Sequence, residues 1–144
     1  MKTISVGAII TDGTKFLIGH ATGQPIWDLP KGKIEPGEDY FETCVRETKE
    51  ETGFDIPETA VIEGLGVFPY IPAKNLCLFK VTIPELPDPG TFKCTSMVEL
   101  PDRKPFPEVN AFMYVTKENA HKYLTKNMCK SLVLAGILDA AVSL

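Results

Sequence analysis

Between Asp39 and Gly53 the chain carries the boundaries of a helix, and this segment limits the fold more than any other. Asp39 can cap the first turn, with Glu42 three residues on to complete a capping box. Gly53 stands where a helix C-terminal glycine belongs. Phe41, Cys44, Val45 and Thr48 recur at i, i+3, i+4 and i+7 and predict one core-facing stripe. Glu47, Glu50 and Glu51 share a second stripe, expected well away from the first. Three carboxylates so close repel one another, and alone they read as a solvated acidic face. Their surroundings argue for more. Pro30-Lys31-Gly32 predicts a turn or loop before the helix, and at its glycine backbone carbonyls can approach an ion. Clustered hard oxygens suit Mg²⁺ or Mn²⁺ rather than zinc, and a metal would relieve the repulsion. Arg46 is expected to pair with Glu42 or Glu50 and fix carboxylate orientation.

The segment Gly32–Phe54 resembles the signature box of the Nudix hydrolase family. That pattern is Gly, five residues, Glu, seven residues, Arg-Glu, an aliphatic position, one residue, Glu-Glu, one residue, Gly, and an aliphatic or aromatic position. Gly32, Glu38, Arg46, Glu47, Glu50, Glu51, Gly53 and Phe54 meet it in register, and Thr48 departs from the aliphatic preference. The lead-in Trp27-Asp28-Leu29-Pro30-Lys31 is also similar to the family's entry to the box. The resemblance implies an α/β/α sandwich with a mixed sheet and a loop-helix-loop catalytic segment. It implies a Mg²⁺- or Mn²⁺-dependent pyrophosphohydrolase acting on a nucleoside diphosphate linked to another moiety. By that analogy Glu50 and Glu51 are the main metal ligands, with Glu47 beside them or acting on the attacking water. The carbonyl of Lys31 or Gly32 completes the metal shell, and Glu38 steadies the loop.

The remaining elements fit one α+β domain spanning 1–144. Residues 3–10 and 15–18 form apolar runs around Asp12-Gly13, a hairpin signal. Ile26–Leu29 is a short extended stretch. Val61–Phe68, Leu76–Ile83 and Val109–Val115 read as strands, with Pro69-Tyr70-Ile71-Pro72 a rigid connection. Six prolines between 84 and 107 predict a loop-rich region, with a short strand near Ser96–Leu100. Glu118–Leu124 and Lys130–Val142 are helical candidates, the second a core-packing helix.

Outside the box, Glu108 opens the strand Val109–Val115, where many relatives place a glutamate in the metal site or as base. Glu99 competes with it. Lys33 could contact phosphate or simply be solvated, as could Arg103 and Lys104. Tyr70 and Trp27 could each stack on a base, against the alternatives of a stiff corner and a buried anchor. His20 and His121 are isolated and are read as surface or packing residues. In this family a proline near position 69 accompanies ADP-ribose hydrolysis and a tyrosine near position 70 accompanies dinucleoside polyphosphate hydrolysis, so the substrate stays open between them. RNA 5′-end pyrophosphate removal, clean-up of oxidised nucleotides and a non-catalytic nucleotide sensor are the other readings.

A net charge of −4 argues against bulk electrostatic binding of nucleic acid. The expected partner is a small nucleotide, with an RNA 5′ end the exception, and oligomeric state is unreadable. Cys44, Cys77, Cys94 and Cys129 lack zinc-knuckle spacing and are expected to be buried thiols in a reducing compartment. No apolar stretch is long enough to span a membrane, and the N-terminus lacks a secretory signal, so the cytoplasm is the expected location.

Overall fold

In a computed structural model, residues 2–140 are described. The chain runs through β1 (Thr3–Thr11), β2 (Lys15–Ala21), β3 (Trp27–Asp28), β4 (Lys31–Lys33), α1 (Tyr40–Thr52), β5 (Val61–Ile71), β6 (Lys74–Thr82), β7 (Met97–Leu100), β8 (Arg103–Pro107), β9 (Val109–Thr116) and α2 (Lys126–Leu134). Seven strands make a mixed sheet in which β1 and β6 are parallel and the other pairs antiparallel, while β7 and β8 pair only with each other.

Val6 to Ile10 form an unbroken buried run because β1 is covered on both sides. On one face Val6, Ala8, Ile10, Leu17 and Val81 pack with Cys44 of α1. On the other, Ile9, Ile18, Leu76 and Leu78 pack with Met128 and Leu132 of α2. This is the α/β/α sandwich expected from the resemblance.

The Asp12-Gly13 turn forms as predicted, with Asp12 Oδ1 accepting from the amides of Thr14 and Lys15 and Gly13 at φ 101°. Beyond it β1 and β2 meet in register at Thr11 and Phe16 and then part. The freed edge of β1 takes β4, with Val6 opposite Gly32, and β2 takes β3 and β9. Pro30-Lys31-Gly32 is therefore not a free loop, since Lys31–Lys33 is a strand.

The capping box of α1 is complete: Asp39 Oδ1 accepts from the Glu42 amide at 2.8 Å and Glu42 Oε1 from the Asp39 amide at 3.0 Å. Gly53 takes φ 75° and donates its N–H to the Lys49 carbonyl. The core stripe needs correction. Val45 is exposed, and the buried residues of α1 are Thr43, Cys44, Thr48, Glu51 and Thr52. Seven residues at 100° each bring Glu51 to roughly 20° from Cys44, so this glutamate belongs to the inner face.

Four further expectations shift. Pro69–Ile71 continue β5 rather than forming a corner, and the turn comes at Pro72-Ala73. Pro69 is tolerated because β5 is an edge strand with a register break beside it. The region near Ser96–Leu100 contains β7, and Arg103–Pro107 adds β8 where a loop was expected. Glu118–Leu124 shortens to a 3₁₀ turn at Ala120–Lys122. The last helix begins four residues early, capped by Thr125, and ends before Gly136 at φ 80°, with Val142 outside the described residues. All four cysteines are buried free thiols, and no helix among the described residues is long and apolar enough to cross a membrane.

Candidate active site

Where β1 and β2 separate, a cleft of about 420 Å³ opens between β4 on one side and β2 and β9 on the other. Lys31, Gly32 and Lys33 of β4 line it, as do Glu51 of α1, Glu108 and Lys74.

The helix reaches this cleft through Gly32. A β-carbon built on Gly32 would fall within the Glu47 carboxylate, so only glycine lets that carboxylate lie against the strand. One residue earlier, the Lys31 amide donates to Glu51 Oε1 at 3.1 Å. Glu51 is only 7% exposed. Burial first, and the neighbouring Glu108 charge second, push its carboxyl up to about 8. Burial also raises Glu47, against the pull of its hydrogen bond to Arg46.

Arg46 is the hub of the acidic cluster. Its Nε and Nη2 grip both oxygens of Glu38 at 2.7 and 3.0 Å, Nη1 donates to Glu47 at 2.6 Å, and Nη2 donates to the Lys33 carbonyl at 3.0 Å. The expected partner Glu50 is held at 3.3 Å, while Glu42 is taken by the cap and does not reach Arg46. The Arg46 hydrogen bond holds Glu38 well below the usual carboxylate range, at about 2. Glu38 also accepts from the Glu35 amide and the Thr43 hydroxyl, which fixes the loop between β4 and α1.

Glu108 lines the cleft opposite α1, its Oε2 accepting from the Ser96 hydroxyl at 2.8 Å. Glu99 is exposed on β7 and does not line the cleft. Lys31 is held by Asp28 at 3.2 Å with its ammonium 5.7 Å from the Tyr70 ring centre. Burial works to lower this ammonium, but Asp28, Tyr70 and Glu51 outweigh it and raise it above the ordinary lysine range. Tyr70 thus stands behind Lys31, partly packed into the α2-side core, and does not itself line the cleft.

Trp27 does not line the cleft. Its neighbours Ile26 and Asp28 do, and the indole packs against His20 and Tyr123 at 5.1 and 6.2 Å between ring centres. His20 is engaged with Asn110 and His121 with the Asp139 carbonyl. Arg103 stacks on Phe106 within its own hairpin, and Lys104 is exposed on β8. Sequence reasoning missed the Lys31 side chain, Lys74 and Ser96. No local signal marks the first, because alternation puts Lys31 and Lys33 on one side only once their pairing with β1 makes them a strand.

Among the described residues no three carboxylate, thiol or imidazole groups converge as a preformed metal cage. Arg46 Nη1 instead bridges Glu47 and Glu50. The donor set still fits a divalent ion: its groups are hard oxygens, and at the buried Glu51 desolvation and the Glu108 charge outweigh what the Lys31 amide and ammonium offset.

With this geometry, the comparisons with known proteins are decisive on family. The model of the NUDIX domain matches residues 1–123. The chain belongs to the Nudix family. The expected enzyme class, a pyrophosphohydrolase, stands with it. An uncharacterized 17.7 kDa protein of Enterobacteria phage T4 is 35% identical over 127 residues, covering 81% of this chain and 84% of that protein. The asymmetrical bis(5′-nucleosyl)-tetraphosphatase of Mus musculus is 50% identical over 51 residues, about a third (35%) of each chain. In fold, the NUDIX domain of Shewanella oneidensis NrtR, solved with ADP ribose, superposes with a TM-score of 0.66 at 16% identity, over 94% of this chain and 86% of that one.

Proposed function

We propose that the chain is a single Nudix domain that hydrolyses a diphosphate linkage in a nucleoside diphosphate derivative with Mg²⁺ or Mn²⁺. The observation that carries this is the meeting of Glu47 and Glu51 with β4, the strand whose Lys31 and Lys33 line the cleft facing Glu108. Glu47, Glu50 and Glu51 would hold the ion, with the carbonyl of Lys31 or Gly32 as a further ligand. When bound, such an ion neutralises diphosphate oxygens and lowers the pKa of water at the site.

The chain's own groups do the rest. Lys31 and Lys33 meet phosphate charge, and Asp28 and Tyr70 hold the Lys31 ammonium in place. Arg46 keeps Glu47 and Glu50 from separating and anchors the loop through Glu38. Glu108 orients the attacking water and takes its proton. Its carboxylate stands exposed on the far wall of the cleft, while Glu47, with one oxygen on Arg46, would give the other to the ion. Attack on one phosphorus breaks the P–O–P bridge, and the leaving phosphate departs on the bridging oxygen.

For the substrate, dinucleoside polyphosphates are favoured over ADP-ribose-like compounds. Tyr70 beside Lys31, and Lys74 further along the same cleft, suit a longer phosphate chain, and the match to a tetraphosphatase points the same way. The test is turnover with Mg²⁺ of diadenosine polyphosphates, ADP-ribose, nucleotide sugars, nucleoside triphosphates and 5′-triphosphate RNA, beside Glu51→Gln. Release of a mononucleotide or pyrophosphate, lost in the variant, is expected. Tight binding without turnover in any metal would replace this reading with a nucleotide sensor.

A further inference from the structure

Ser96 does not line the cleft, yet it joins the two elements that do. Its amide donates to the Glu50 carbonyl at 3.2 Å, beside the Thr95 amide at 2.7 Å and the Thr95 hydroxyl at 3.2 Å. That carbonyl lies among the last four of α1, which have no partner within a helix. The loop therefore completes the end of the helix that carries the glutamates. On its other side, Ser96 accepts the Glu108 amide at its carbonyl and donates its hydroxyl to Glu108 Oε2, each at 2.8 Å. Residues 96 and 108 thus form the neck of the β7–β8 hairpin, which pairs with no other strand.

The backbone at this neck has other supports. Thr22 donates its amide to the Glu108 carbonyl at 3.1 Å and its hydroxyl to the Pro107 carbonyl. Among the described residues the Glu108 carboxylate has one side-chain partner, the Ser96 hydroxyl. Loss of that hydroxyl frees the carboxylate to change rotamer while leaving the neck closed.

We infer that Ser96 is a positioning residue whose hydroxyl aims the Glu108 carboxylate into the cleft and ties its placement to the last turn of α1. The inference rests on the proposed hydrolase reading, with Glu108 acting on water.

The test is a double-mutant cycle on Ser96→Ala and Glu108→Gln, using diadenosine tetraphosphate with Mg²⁺, or whichever compound of the panel turns over faster. Ser96→Ala is expected to lower kcat about tenfold with KM changed by less than about twofold, the signature of a lost transition-state interaction. In the Glu108→Gln background the same change is expected to cost less than about twofold. Ser96→Thr, which keeps the hydroxyl, should restore most of the rate. Mn²⁺ affinity without substrate should stay within about twofold in Ser96→Ala, which separates aiming from general collapse of the site. Equal losses in both backgrounds, a parallel fall in Mn²⁺ affinity, or full activity of Glu108→Gln while Glu51→Gln is dead would each overturn the inference and leave the hydrolase reading standing. A wild-type protein without turnover overturns that reading and the inference with it.

Discussion

The Glu47 carboxylate occupies the space that a β-carbon on Gly32 would fill. The Glu47 side chain can therefore hold this rotamer only over glycine, and Gly32→Ala must displace the carboxylate rather than merely crowd it. A displacement of about 1 Å at a reacting centre can cost roughly a hundredfold in rate, and that is the expected loss in kcat. Destabilisation should be modest, about 1–3 kcal/mol, as for other overpacked sites. Steady-state kinetics beside thermal unfolding check this; an active Gly32→Ala would show that Glu47 need not lie against β4.

Glu51 holds a proton at neutral pH in the metal-free protein, because burial pushes its carboxyl up to about 8. Its folded value is raised above the unfolded one, so between about pH 4.5 and 8 the native state binds the extra proton. The metal-free fold thus loses stability from this group as pH rises through that window. A divalent ion must displace the proton, so affinity should climb with pH up to about 8. Calorimetric titration of Mg²⁺ at pH 7 in two buffers of different ionisation enthalpy should report release of nearly one proton. Glu51→Gln should abolish the release. Metal binding with no proton release would refute the assignment of Glu51 as a ligand.

The opposite sign holds for Glu38. Arg46 keeps its folded value at about 2, below the unfolded carboxylate, so its contribution is present above about pH 4.5 and disappears as pH falls from there to about 2. The unfolding midpoint of the wild type should decline across that acid window, and Glu38→Gln should lie lower at neutral pH with a flatter acid limb. Chemical denaturation at a series of pH values distinguishes this from a uniform offset. Arg46→Lys should behave similarly, because lysine cannot grip both Glu38 oxygens at once.

The parts legible in the sequence are those fixed by local chemistry. Asp39, Glu42 and Gly53 delimit α1 through short-range hydrogen bonds, and Asp12-Gly13 forms its turn for the same reason. The departures come from tertiary context. Lys31–Lys33 becomes a strand because β1 offers it a vacant edge, which no local signal reveals. Val45 and Glu51 exchange expected environments because α1 is rolled so that the Cys44 line, not the Phe41–Val45 line, meets the sheet. Ser96 carries no sequence signal, since its importance lies in two partners 46 and 12 residues away, Glu50 and Glu108. Trp27 illustrates the reverse: its aromatic character suggests base stacking, but strand alternation turns it toward His20 and Tyr123.

Thr48 is where the box departs from the family's aliphatic preference, and the structure gives that departure an energetic cost. Its side chain is 1% exposed, and among the described residues its buried hydroxyl has only the weakly accepting Cys44 thiol beside it, with no nitrogen or oxygen partner. An unsatisfied buried polar group costs about 1–3 kcal/mol, whereas an isosteric apolar group in the same place leaves nothing unpaired. Thr48→Val keeps the β-branch and nearly the same volume. It should raise unfolding stability by about 1 kcal/mol, a rise of about 2–4 °C in Tm for a chain this size. Because Thr48 faces Cys44 and the core rather than the cleft, kcat and KM should stay at wild-type values. A loss of stability on this substitution would mean that the hydroxyl bond to the Cys44 thiol outweighs the cost of burying the oxygen.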